Sequence, residues 1–305
     1  MSRQSERARV RALLGRVGVW TFALDALPSA EVRKAVAEIE AIGFPALWVP
    51  EGMRSREVFA NVSLLLSSSR RLAVASGIAN IGARHPFTME LGRRAVSDSF
   101  PGRFVLGMGV GHEYQYEVRG IDYSRPWTRM RDYLDRMNRA RSSSPEPELP
   151  APRMLAALGD RMLGLAAEAT AGAHSYFVPV EHTERARKVL GPEPVLAVEQ
   201  TVVLETEPTR ARAVGRWFAE DYLQSPNYAN NLRRLGYSER DVAGAGSDRV
   251  IDATIAWGDV EAIVARVGAQ LAAGADHVCV QAIVDDEADA CLPQLRELAP
   301  ALLSL

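Results

Sequence analysis

Two apolar rhythms alternate along the chain. Short continuous apolar runs are each followed by longer stretches in which apolar positions fall three and four residues apart. The first pattern is that of a strand buried on both faces, the second that of a helix with one buried stripe. Arg16 to Phe22 (RVGVWTF), Ala46 to Val49, Leu72 to Ile81, Phe104 to Val110 and Arg153 to Leu158 read as the first five strands. Ser175 to Val178, Val195 to Leu204 and His277 to Ile283 complete a set of eight. The intervening helices are expected over Ser29–Ile42, Glu57–Ser67, Phe87–Ser99, Trp127–Arg139, Gly159–Ala171, Glu181–Leu190 and Val260–Ala273. A long helical region from Thr209 to Leu235 and a closing helix over Glu287–Leu303 join them. Gly43 ends the first helix, and Pro86 suits the first turn of the third.

Eight strands alternating with helices through right-handed crossovers predict a (β/α)₈ TIM barrel, one domain over residues 1–305 with a loose arm at 1–15. A doubly wound open sheet is the competing architecture, but its GxGxxG turn is missing after the first strand. The Pro/Ser-rich stretch Arg141–Pro152 reads as a surface connection between units.

Composition narrows the function more than the fold. With 47% apolar and 24% charged residues and a net charge of -2, the chain offers no basic field for nucleic acid or an anionic membrane. The arginine-rich start lacks the apolar core of a signal peptide, and no apolar run reaches membrane-spanning length, so a cytoplasmic protein is expected. Cys279 and Cys291 have no zinc-like spacing and read as buried spectator thiols.

In a TIM barrel the working face is at the carboxyl ends of the strands. Those ends carry Trp20–Phe22, Glu51, Gly77–Asn80, Gly109–Glu113, Leu158–Arg161, Ser175–Pro179, Gln200 and Gln281. The set is rich in glycine, aromatics and amides. HExxH, GxSxG, a strand-end lysine and paired carboxylates are all missing, which disfavours metal hydrolysis, serine hydrolysis and aldolase chemistry. Gly107, Gly109 and Gly111 fall on one strand face, where a flat ring has room to lie against bare main chain; a tight corner without ligand gives the same pattern. At the fifth strand-to-helix turn, Leu158-Gly159-Asp160-Arg161 offers backbone N–H groups and a cation suited to a phosphate, or simply a capped helix start.

Several segments, in order, resemble one family. These are GVW at 18–20, ALWVPE at 46–51, SGIANIGARHP at 76–86, PGRFVLGMGVGH at 101–112, YSRPWTRMRDYLDRM at 123–137, the run at 154–183 and AGADHVCVQ at 273–281. Together they are similar to the bacterial luciferase-like flavin and deazaflavin oxidoreductases, and more narrowly to their F420-dependent branch. The resemblance implies a TIM barrel with an insertion after the seventh strand, at about residues 209–258. It also implies hydride transfer between F420 and an unidentified small organic substrate. The deazaflavin ring is expected across the strand ends, near Trp20, the pair Gly77-Ile78 with its non-proline cis peptide, Asn80, Gly109, Val110 and Gly111. The phosphate tail is expected at Leu158, Gly159, Asp160 and Arg161.

Glu51 matches an acidic position near the reactive ring in F420-dependent relatives, and a salt bridge to Arg54 or Arg84 is the alternative role. His112 stands where several relatives have glutamate, with Glu113 one residue late. Gly52 replaces a histidine frequent in relatives, which separates this chain from their sugar-phosphate chemistry. Glu51 and His112 are thus the expected acid-base residues, and no metal is implied. The substrate pocket is expected from the insertion, including Tyr222, Asn227 and Tyr228. A homodimer through the second and third helices is expected. An FMN-dependent monooxygenase and a non-catalytic barrel are the alternatives.

Overall fold

The computed structural model describes residues 2–284 and 291–305. The chain runs through α1 (Arg3–Leu14), β1 (Val17–Trp20), a 3-10 turn at Ala23–Ala26, α2 (Ser29–Ile42), β2 (Ala46–Val49), α3 (Val58–Ser67), β3 (Ala73–Ser76) and β4 (Ala79–Asn80). It continues with α4 (Pro86–Ser99), β5 (Phe104–Gly109), α5 (Glu113–Val118), α6 (Pro126–Asn138), β6 (Arg153–Ala156), α7 (Asp160–Ala169), β7 (Gly172–Ser175), α8 (Val180–Leu190) and β8 (Val195–Leu204). Then come α9 (Pro208–Leu223), α10 (Pro226–Arg234), α11 (Asp248–Thr254), β9 (Ile255–Gly258), α12 (Val260–Ala272), β10 (His277–Ala282) and α13 (Leu292–Leu302).

Eight of these strands close into a parallel ring in the order β1-β2-β3-β5-β6-β7-β8-β10, with β10 pairing both β8 and β1. This is the (β/α)₈ TIM barrel that the alternation of periods predicts. Inward and outward residues alternate along each strand as the pleat requires. Ala46 and Trp48 of β2 join the barrel interior, while Leu47 and Val49 pack outward under the helices. In the interior, Trp48 donates its indole N–H to Nε2 of His277 at 3.0 Å, which leaves Nδ1 of His277 to donate to the carbonyl of Gly15 at 3.0 Å.

The residues expected to be a loose arm form α1. Its Val10 and Leu14 are fully buried in the same interior cluster as Trp48, where they stopper the amino-terminal end of the barrel. Its arginines tie it down, Arg7 to the carbonyl of Ala167 at 2.6 Å and Arg11 to Asp276 at 2.8 Å. The stretch RQSERARVRALL hides two buried apolar positions four apart among arginines, a stripe too narrow to stand out.

Three other elements differ from expectation. The third strand breaks into β3 and β4 around a cis peptide at Gly77-Ile78, after which β4 resumes pairing with β5, Asn80 opposite Gly109. The sixth strand runs over Gly172–Ser175, three residues earlier than its apolar signal. It starts at Gly172 because a side chain there would overlap the backbone of Val195, and it stops before Phe177, which turns left-handed at φ 52°. The helical region after β8 divides at Gln224–Ser225, where Pro226 starts α10, and β9 adds a strand beside the end of β8 outside the ring. The first part of the closing helix, residues 287–290, lies outside the described residues.

Candidate functional site

A cavity of about 810 Å³ opens at the carboxyl ends of the strands. Its walls come from Trp20 and Phe22 after β1, from Pro50 to Ser55 after β2, and from Gly77-Ile78 after β3. Gly111, His112, Tyr114 and Gln115 after β5, Ala156 in β6, and His174 and Tyr176 in and after β7 continue them. Asp221, Tyr222, Gln224, Ser225 and Tyr228 of α9 and α10 close the mouth from one side. Of the expected site residues, Trp20, Glu51, Gly77, Ile78, Gly111 and His112 therefore share one space. Asn80, Gly109, Val110 and Leu158 to Arg161 do not line it.

The glycines of β5 are required by close approach of the protein itself. A Cβ on Gly107 would stand 2.0 Å from the carbonyl oxygen of Ser76, and one on Gly109 would stand 2.7 Å from the Ile78 side chain. The Gly77-Ile78 bulge thus occupies the bare face on which a ring was expected to lie, and the bulge itself is what the cavity meets. Gly111 alone of the three reaches the cavity. It is left-handed at φ 79°, and a Cβ there would collide with the side-chain amides of Asn80 and Gln115 at 2.3 Å.

Glu51 sits at the end of β2 with its carboxylate fully engaged. Nη1 of Arg84 donates to Oε2 at 2.8 Å, Nη2 of Arg84 contacts Oε1, and the backbone N–H groups of Asn80 and Val58 donate at 2.8 and 3.3 Å. Arg84 also reaches Glu57 at 2.9 Å. Of the two roles open to Glu51, the salt bridge to Arg84 is the one built, and it anchors the chain just beyond the bulge. Asn80 is a second brace, fully buried, with Nδ2 donating to Oε1 of Gln115 at 2.5 Å and Oδ1 accepting from Gly82 at 2.8 Å.

His112 precedes α5, and its backbone N–H donates to Oε1 of Gln115 at 3.1 Å. Its ring stacks on Tyr114 at 5.8 Å and tilts against Tyr228 at 5.7 Å. Burial lowers its pKa, with a hydrogen bond donated to Asn227 acting the other way. Nδ1 is buried and has no protein partner.

The opposite wall is a cluster of rings. Tyr176 packs on Trp20 at 4.9 Å and on Tyr222 at 5.3 Å, and Tyr222 packs on Tyr228 at 5.3 Å. The hydroxyl of Tyr176 donates to Oε1 of Gln281 at 2.8 Å and lies 2.9 Å from that of Tyr222. Burial raises the pKa of all three tyrosines, which stay neutral. Behind them is Glu199, whose pKa is raised to about 7 by burial against the opposing bonds from Thr201 and the Phe177 N–H. Its only signal in the sequence is a lone acid inside the apolar run of β8.

Besides His112, two residues of the cavity wall have buried ring nitrogens that lack partners. The indole N–H of Trp20 has no acceptor, and neither ring nitrogen of His174 makes a hydrogen bond. His174 lies in β7, inside an apolar run, where a histidine has no spacing that marks it.

The turn expected to take a phosphate is a helix start. Gly159 caps α7, Asp160 pairs with Arg185 through two bonds at 3.0 and 2.7 Å, and Arg161 lies over the Trp127 ring at 4.6 Å. Among the described residues no group of three or more His, Cys, Asp and Glu side chains is placed to hold a metal ion, and no helix is long and apolar enough to cross a membrane.

A family model described as luciferase-like monooxygenase matches residues 14–277. The 5,10-methylenetetrahydromethanopterin reductase of Methanolobus tindarius is 23% identical over 117 residues, which is 37% of this chain and 36% of the reductase. The chain thus matches about a third of the length of that curated relative. Among solved structures, an F420-dependent secondary alcohol dehydrogenase in complex with an F420-acetone adduct superposes with a TM-score of 0.73 at 14% identity, over 94% of this chain and 98% of that one. The oxygenating constituent of 3,6-diketocamphane monooxygenase from Pseudomonas putida, in complex with FMN, gives 0.68 at 14%, over 94% and 98%. At these identities the likeness is one of fold.

Proposed function

Because the match over residues 14–277 covers most of its length, the chain belongs to the luciferase-like monooxygenase family, and on that premise we propose that it is an F420-dependent oxidoreductase acting on a small organic substrate. The observation that carries the reading is the 810 Å³ cavity at the carboxyl end of the barrel, bounded by the Gly77-Ile78 bulge and by the rings of Trp20 and Tyr176. The cavity fits a planar heteroaromatic group in volume and in a lining rich in aromatic rings, Trp20, Phe22, Tyr176, Tyr222 and Tyr228 among them. Bound there, F420 supplies a hydride that it gives to or takes from the substrate.

The chain's own residues position, shield and protonate. Trp20 and the bulge wall the ring, while Tyr176, Tyr222 and Tyr228 hold the substrate side and exclude water. His112, which lines the cavity, is the residue that moves a proton, and its lowered pKa keeps it neutral at pH 7. Glu51 acts as the brace that fixes the bulge. The reading places the phosphate tail outside the cavity, toward Gly159 to Arg161. It also pairs two copies through α3 and α4, where Phe87 and Leu91 stand exposed.

FMN is the second reading, favoured by the FMN-bound monooxygenase of the same fold. The two separate on titrating the purified protein with each cofactor and following fluorescence quenching. F420 binding below about 100 μM with weaker FMN binding supports the first reading, and the reverse order supports the second. Binding of neither refutes both.

A further inference from the structure

We propose that Glu199, sealed inside the barrel, is a positioning residue for the aromatic wall of the cavity. Through the backbone N–H of Phe177 it holds the turn that carries that wall, firmly when ionised and loosely when protonated. The proposal concerns this chain's own wall and is independent of which cofactor the cavity takes.

Two consecutive residues after β7 supply the turn. Tyr176 lines the cavity, with its ring 4.9 Å from that of Trp20, 5.3 Å from Tyr222 and 6.3 Å from Tyr228. Phe177 is 1% exposed and packs against the same two α9 and α10 rings, 5.2 Å from Tyr222 and 5.9 Å from Tyr228. It is left-handed at φ 52°, a conformation that a ring-bearing residue keeps only where its surroundings hold it. The hold is Glu199, 1% exposed: its Oε2 accepts the Phe177 N–H at 3.0 Å, while Oε1 accepts the Thr201 hydroxyl at 2.7 Å.

Three carboxylates are buried among the described residues, and two of them have arginines. Glu51 is paired with Arg84, and Glu90 with Arg93 and Arg94. Glu199 is held by hydrogen bonds alone, with no cation. The ionisable groups that face it are Cys279, its register partner on β10, and Tyr176, Tyr222 and Tyr228; burial raises the pKa of all four, so they are neutral. On β7, His174 is neutral too, with a pKa of about 3. A glutamine at 199 would give its oxygen to Phe177 and an amide N–H to Thr201 without burying a charge. What glutamate adds is a bond of two strengths, charge-assisted to the Phe177 N–H when ionised and weaker when protonated. Burial raises its pKa to about 7, so both forms are populated at neutral pH.

The test follows near-ultraviolet circular dichroism, which reads the packing of these rings, from pH 5.5 to 9 in the ligand-free parent protein, E199Q and T201V. The parent should show a transition centred near pH 7 while its far-ultraviolet signal stays constant. In E199Q that transition should vanish, with the spectrum close to the parent's acid form throughout. T201V loses a bond to the ionised carboxylate, so its transition should move up by roughly one pH unit. A parent without the transition, or an E199Q protein that keeps it, overturns the proposal. Should E199Q fail to fold, T201V decides: a transition that moves up supports the proposal, and one that stays or moves down overturns it. None of these outcomes involves F420 or FMN, so each leaves the cofactor reading as it stands.

Discussion

Replacing Arg84 by methionine tests whether Glu51 is a brace. The two side chains are 9% and 6% exposed, and the carboxylate keeps only the Asn80 and Val58 N–H groups when the guanidinium is gone. Breaking a buried pair from one side strands a charge and costs about 3–5 kcal/mol, well above the exposed-pair range of about 0–1 kcal/mol. E51Q should cost less, about 1–3 kcal/mol, since Arg84 retains Glu57 at 2.9 Å and the amide still accepts one backbone bond. The double variant E51Q/R84M strands nothing, so it should be more stable than R84M by about 2 kcal/mol or more. Denaturant midpoints by circular dichroism, with a check that the slope is unchanged, give the three values. An R84M loss under about 1 kcal/mol, or a double variant no better than R84M, refutes the brace.

A Cβ on Gly107 meets backbone that cannot rotate away, whereas the same addition at Gly159 meets nothing within 4 Å. G107A should therefore fail to fold or lose more than about 3 kcal/mol, and G159A should stay within about 1 kcal/mol, as thermal melts would show. Deleting residues 1–15 removes the fully buried Val10 and Leu14 from the barrel end, about 4–5 kcal/mol of apolar burial, and should lower the melting temperature; an unchanged melt refutes the stopper. Acid sensitivity has a defined sign. His174, His182 and His277 have folded pKa values of about 3, 4 and 4, so between pH 4.5 and 6.5 the unfolded chain binds up to three more protons there. Glu199, at about 7, binds one more in the folded state. The net excess, which grows to about two as pH drops through this window, makes stability fall by up to about 3 kcal/mol per pH unit, measurable by denaturation at several pH values. A flat profile over pH 4.5–6.5 refutes the burial of these rings. Replacing His112 by asparagine should lower kcat at least about a hundredfold while leaving cofactor affinity within about threefold, and equal loss in both removes it as the proton carrier.

The barrel was readable because a strand buried on both faces leaves an apolar run and a covering helix leaves a stripe, signals that survive without tertiary knowledge. Within the site, Trp20, Glu51, Gly77, Ile78, Gly111 and His112 were readable because strand ends converge in this fold wherever the sequence puts them. A glycine announces that something comes close, but not what. At Gly107 and Gly109 the neighbour is the protein's own bulge, which no local pattern reveals. Leu158 to Arg161 announce a helix start, yet where that start points depends on barrel geometry, and the charge of Asp160 is taken by Arg185, 25 residues on. His174 was missed altogether, because its meaning comes from a stack on Trp48 across the barrel.

The wall contributed by α9 and α10 has one more implication. The strand-end walls and the bulge are drawn from strands scattered over the whole chain, so altering them disturbs everything at once. Tyr222, Gln224, Ser225 and Tyr228 belong instead to one contiguous cassette between β8 and β9. Grafting a foreign cassette of similar length at those two junctions would change which molecules are accepted while the rest of the machine is inherited intact.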